Sequence, residues 1–88
     1  MRLSIFKYTV PIQDEFGLLL PGMGKILSFQ VQADVPVIWA LVNPQAAPWE
    51  RRFRIFGTGH PVSADIPLAF IGTIQLDTLV WHLFEELS

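Results

Sequence analysis

Apolar and polar side chains alternate with a period of two along most of this chain, in short runs cut by proline and glycine, which is the pattern of strands and turns rather than of helices. Residues 3–10 set Phe6, Tyr8 and Val10 on one face and Ile5, Lys7 and Thr9 on the other, and Pro11 ends the run. Residues 16–20 predict a short second strand closed by the Pro-Gly-Met-Gly turn at 21–24. Residues 25–32 have the clearest period, with Leu27, Phe29 and Val31 against Ser28, Gln30 and Gln32, as in a half-buried antiparallel strand. A turn at 33–36 leads into residues 37–42, VIWALV, apolar on both faces and therefore a central strand.

The stretch NPQAAPW at 43–49 holds two prolines and predicts a loop; residues 50–56 follow as a strand, and the two flanking strands read as a hairpin. Within FRIFGTGHP, Phe53 and Ile55 point one way while Arg52 and Arg54 point the other. Gly57 and Gly59, free to adopt positive φ, break the strand, and Pro61 stiffens the corner that carries His60. After an irregular connection at 63–68 containing Asp65, residues 70–76 resume the strand pattern with Gly72 marking a bulge. Residues 79–87 fit two templates. Val80, Leu83, Phe84 and Leu87 fit a helix, and Val80, His82 and Phe84 fit a strand; the β-branched and aromatic content favours the strand, with a helical turn at 85–88 as the alternative. The expected fold is one all-β domain over residues 1–88, a small antiparallel sandwich or barrel of six to seven short strands.

Composition changes this picture in one respect. The chain is 51% hydrophobic and 16% charged, against about 25% charged for an average globular domain. A chain of 88 residues buries only somewhat more than roughly 60% of its unfolded surface, so an exposed apolar patch, the usual mark of a partner or subunit contact, is expected. Residues 37–42 and Trp81 are the candidates for a homo-oligomer contact. With no cysteine there is no disulfide framework and no thiolate metal site, which points to the cytoplasm. Lys7 interrupts the apolar N-terminus, which does not read as an export signal, and no run approaches the roughly 18 residues of a membrane span.

The blocks KILSFQVQ, VPVIWALVN, FRIFGTGHPV, FIGTIQL and VWHLFE, taken in order, resemble a family of small proteins encoded by tailed phages and prophages and catalogued as a domain of unknown function. The resemblance spans nearly the whole chain. It implies a phage or prophage origin and a small accessory role, and it brings no reaction, cofactor or site residue with it. At 76–78 this chain departs from the family pattern, which has a glycine-containing turn there.

Candidate chemistry is thin. Ser63, His60 and Asp65 form the only nucleophile, base and acid set, but three residues of one loop rarely converge on a reacting atom, so the chain reads as a non-enzyme whose His60 and Asp65 bond their own turn. His60 and His82 lack metal-ligand spacing with carboxylates, and PGMGK runs into a strand rather than a helix, which excludes a phosphate cradle. Arg51, Arg52 and Arg54 beside Trp49 could hold single-stranded nucleic acid, yet six Lys and Arg in an acidic chain argue against it. What remains is protein binding. The candidate partner-binding residues are Trp39, Trp49, Arg52, Arg54, His60 and Trp81, and the expected role is occlusion of a host enzyme or defence complex, with a structural or oligomeric role second.

Overall fold

The computed structural model describes residues 1–87. Seven strands, β1 (Ser4–Thr9), β2 (Glu15–Pro21), β3 (Lys25–Gln32), β4 (Val35–Val42), β5 (Pro48–Gly57), β6 (Leu68–Leu76) and β7 (Leu79–Glu86), form two sheets. One is three-stranded, ordered β1-β4-β3; the other is four-stranded, ordered β2-β5-β7-β6. Every pairing is antiparallel. The sheets stack into a sandwich whose extents are 42 × 34 × 16 Å.

Alternation decides which side chains enter the sandwich. Phe29 and Ile38 from one sheet meet Phe16, Phe53, Ile55, Ile74 and Leu83 from the other, with Val10 closing the core from the β1–β2 link. Phe16 and Phe53, opposite each other in the β2–β5 register, stack with ring centroids 5.5 Å apart. A second cluster, Leu20, Ala40 and Val42, joins the first through Tyr8, Leu18 and Ile26, which pack against both. The last strand is a strand through Glu86, so Glu85 and Glu86 are not in a helical turn; Ser88 lies outside the described residues.

Two expectations need correction. The strands on either side of the proline-rich loop do not form a hairpin: β4 is central in the three-stranded sheet and β5 lies in the other, so the loop carries the chain across the sandwich. Each strand spends its hydrogen bonds elsewhere, β4 on β1 and β3, β5 on β2 and β7. The turn after β3 is also shorter than its Ala-Asp-Val-Pro sequence suggests. Only Ala33 and Asp34 separate β3 from β4, both at positive φ (49° and 64°), the backbone signature of a type I′ hairpin. At 76–78 the missing glycine is replaced by Asp77, which takes the left-handed conformation itself (φ 56°).

Bulges fall where edge strands need them. The β3 register shifts between Ile26 and Ser28, and the β6 register between Phe70 and Gly72. The second shift brings Gly72 against the opposite sheet, where an added Cβ would lie 3.2 Å from Phe29 Cβ. On the outer face of the three-stranded sheet, Lys7 Nζ donates to Gln32 Oε1 at 2.8 Å, bridging β1 to β3 over the central β4. Val37, beneath that bridge, is buried although it faces outwards.

Candidate functional site

The six residues singled out from the sequence do not converge as a set, although His60 and Trp81 meet. Trp39 lies on the outer face of the three-stranded sheet, opposite Lys7 and Ser28. Trp81 shares the inward face of β7 with Leu83 and packs, partly buried, against the main core. Arg52 and Arg54 project from the outer face of the four-stranded sheet, while Trp49 stands 64% exposed at the start of β5.

His60 is held by its own turn, as expected. Its backbone N–H donates to the Gly57 carbonyl at 3.0 Å, and its Nδ1 accepts from the Gly57 N–H at 3.2 Å. Gly59 occupies the third position with φ 87°, the requirement of a type II turn. Gly57 does not have positive φ; it is glycine because the His60 ring lies on it, with Cε1 2.8 Å from where a Cβ would be. The ring also meets Trp81 edge-on at 6.4 Å. Asp65 donates its backbone N–H to Ser63 Oγ, and no hydrogen bond links either residue to His60 among the described residues. His82 is saturated as well, with Thr58 Oγ1 at 2.8 Å from Nε2 and Thr73 Oγ1 at 2.9 Å from Nδ1. No group of three metal-ligating side chains occurs among the described residues.

Each arginine of the cluster is engaged by carboxylate. Arg51, on the inward face of β5, forms a two-bonded pair with Glu85 of β7, Nε to Oε2 at 2.6 Å and Nη2 to Oε1 at 2.8 Å, and its Nη1 donates to the Gly24 carbonyl. Hydrogen bonding to Glu85 holds the Arg51 guanidinium above the ordinary arginine pKa, against the opposing pull of burial. Arg54 lies between Glu15 and Glu86, 3.0 Å from each, and Arg52 approaches Glu50 at 3.6 Å.

Around the Arg51–Glu85 pair, one end of the sandwich is hollow. A pocket of about 440 Å³ is lined by Gly22, Met23, Gly24, Trp49, Arg51, Glu85, Glu86 and Leu87. A second, of about 340 Å³, shares the turn at residues 22–24 and adds Met1, Leu3 and Leu41. Met23 forms the ridge between them, almost fully exposed, with Met1, Leu3, Trp49 and Leu87 exposed around it. Sequence reasoning found Trp49 here, and Arg51 only as part of an arginine edge, but missed Met23, Glu85, Glu86 and Leu87. The only signal available was the parity that puts Arg51 on the face of Phe53 and Ile55.

The outer face of the four-stranded sheet carries a second group that the sequence reading missed. Phe84 lies edge-on to Phe56 at 5.6 Å and to Phe70 at 5.4 Å. A spacing of two places Phe56 and Phe84 on the face opposite the core, whereas Phe70 reaches that face only through the register shift before Gly72, and the β5-β7-β6 order makes the three neighbours.

No curated protein and no solved structure matches the chain. A family model does match, over residues 1–88, and the chain belongs to that family, a domain of unknown function designated DUF7352.

Proposed function

We propose that the protein is a phage- or prophage-encoded accessory protein without a reaction of its own, which binds a host protein in the cytoplasm and occludes its surface. The observation that carries this reading is the apolar end of the sandwich. Among the described residues, fourteen large hydrophobic side chains are exposed against twelve apolar residues in the core, and five of the fourteen gather around the two hollows that flank Met23. Scattered exposed apolar residues need no explanation; a gathered, concave set does. The accessible surface of 5761 Å² also exceeds the about 5,200 Å² expected for a compact monomer of this mass, which leaves apolar area for a partner to cover. The histidines support no catalysis, being committed to a turn and to two threonines. The arginine edge is neutralised by glutamates, which speaks against nucleic acid.

The test is retention of a partner from bacterial lysate by immobilised protein, run beside Met23→Asp and Trp49→Asp, followed by reconstitution with the purified partner. A stoichiometric complex that both substitutions break supports the reading. Absence of a stoichiometric partner, or one held equally by the variants, overturns it.

A homo-oligomeric role has its own support in β1. It is an edge strand with no bulge or proline, and it carries Ile5 and Phe6 exposed. The other edges are blunted, β3 and β6 by bulges and β2 by Glu15 and Pro21. Sedimentation that gives a dimer, reverting to monomer on Ile5→Lys, favours this second reading.

A further inference from the structure

We propose that β1 pairs with β1 of a second copy, antiparallel about a two-fold axis that passes between the two Phe6 residues, so that the three-stranded sheet continues from one copy into the other; this rests on the homo-oligomeric reading of β1. The backbone fixes the kind of group that fits there. An edge strand presents a row of N–H and C=O groups that another extended strand completes. The other sheet edges are blunted, so the strand that a second copy has to offer is its own β1. Lysine on an edge ordinarily guards it, but Lys7 reaches the other way, over β4 to Gln32 Oε1 at 2.8 Å. Phe6 is the second sign. It faces inward opposite Ala40, yet it is 39% exposed and packs in neither core cluster. Strand addition covers an inward aromatic left bare at an open edge.

The side chains select the register. Residues opposite each other in a continuous sheet share a face, so a two-fold axis through the middle of β1 passes Ile5, Phe6 or Lys7. Centring on Lys7 sets like charges opposite each other, which is destabilising. Centring on Ile5 runs past the start of the strand at Ser4 and pairs fewer of its residues. Centring on Phe6 pairs Ser4 with Tyr8, Ile5 with Lys7 and Phe6 with its own copy. Ile5, 60% exposed, then lies on the methylene stem of Lys7 of the second copy, and the two phenyl rings form a cross-strand aromatic pair. The contact is isologous and closes at two copies.

The experiment joins sedimentation equilibrium of the full chain with disulfide trapping. The wild type is expected to be a dimer. Ile5→Lys sets like charges opposite each other and is expected to weaken the dimer several-fold; adding Lys7→Glu to the same chain is expected to restore it, because positions 5 and 7 face each other across the axis. The chain has no cysteine, so introduced ones report the register. Cα atoms directly opposite each other are about 5 Å apart, within reach of a disulfide, and diagonal ones about 7–8 Å, beyond it. An equimolar mixture of Ile5→Cys and Lys7→Cys is expected to oxidise to a linked dimer, and neither variant to link alone. Leu3→Cys mixed with Thr9→Cys repeats the test with Ile5 and Lys7 in place. Linkage of a single variant, failure of both mixtures to link, or no rescue by Lys7→Glu overturns the register and leaves a dimeric wild type to the homo-oligomeric reading. A monomeric wild type overturns that reading and the register together.

Discussion

The His60 imidazole rests on Gly57, accepting its N–H while occupying the space where a β-carbon would stand. Substitution at either residue is therefore coupled to the other. Gly57→Ala is expected to cost roughly 1–3 kcal/mol by overpacking against the ring, and His60→Ala about 0.5–1.5 kcal/mol by leaving the buried Gly57 N–H without its acceptor. In the His60→Ala background, Gly57→Ala should cost almost nothing, because the ring is gone and Gly57 does not need positive φ. Gly59→Ala, by contrast, should cost about 1–2 kcal/mol in either background, since its φ of 87° is unfavourable for any β-carbon. Urea denaturation of the set measures both; strict additivity of the first pair would refute the ring contact.

The β3–β4 turn runs through two positive-φ residues without a glycine. Replacing Ala33→Asn together with Asp34→Gly supplies the preferred type I′ pair and should stabilise by about 1 kcal/mol. The check is a raised urea midpoint with an unchanged slope. Loss of stability would mean that the side chains of this turn contribute something beyond its backbone.

Arginines of the same cluster should differ sharply in their contribution. Arg51 and Glu85 are part-buried and two-bonded, so Glu85→Ala should cost roughly 1–3 kcal/mol by leaving a part-buried guanidinium without its acceptors. Arg52, exposed and 3.6 Å from Glu50, should change stability by less than about 0.5 kcal/mol on replacement by Ala. Equal losses in thermal melting would contradict this ordering.

Tyr8 lies between the two core clusters, and burial raises its phenol pKa above the ordinary tyrosine value. A raised folded-state pKa means that its contribution is complete below the unfolded value, about pH 10, and is lost as pH rises through the folded value. Melting temperature should therefore fall above that pH, and the Tyr8→Phe variant should lack this component of the fall. An identical alkaline profile for both chains would place the phenol in water.

The strands were legible because their alternation is local. Phe53 and Ile55 inside, with Arg52 and Arg54 outside, follows from two-residue periodicity alone, and the structure keeps it. Gly72 likewise marks a real register shift. Pairing was not legible, because the five residues between β4 and β5 can close a hairpin or cross a sandwich equally well, and only the competing demands of β1, β3, β2 and β7 decide. Trp81 shows the same limit on a smaller scale. Its parity with Leu83 put it on the inward face, yet the composition's apolar surplus drew it to the surface in the sequence reading. The Arg51–Glu85 pair joins positions 34 apart in sequence, a separation at which no spacing rule operates.

Because β7 lies between β5 and β6, those two strands run parallel, and residues 58–67 must return the chain the whole length of the sheet before the final hairpin forms. The last of the seven strands to leave the ribosome thus fills the middle of a sheet, not its margin. Until it arrives, β5 has one side unpaired and the half-core of Phe53 and Ile55 lacks Leu83. Nascent chains are therefore expected to stay protease-sensitive until β7 has emerged, and removal of β7 would undo the four-stranded sheet from its centre, in contrast to loss of β1, which would only trim an edge.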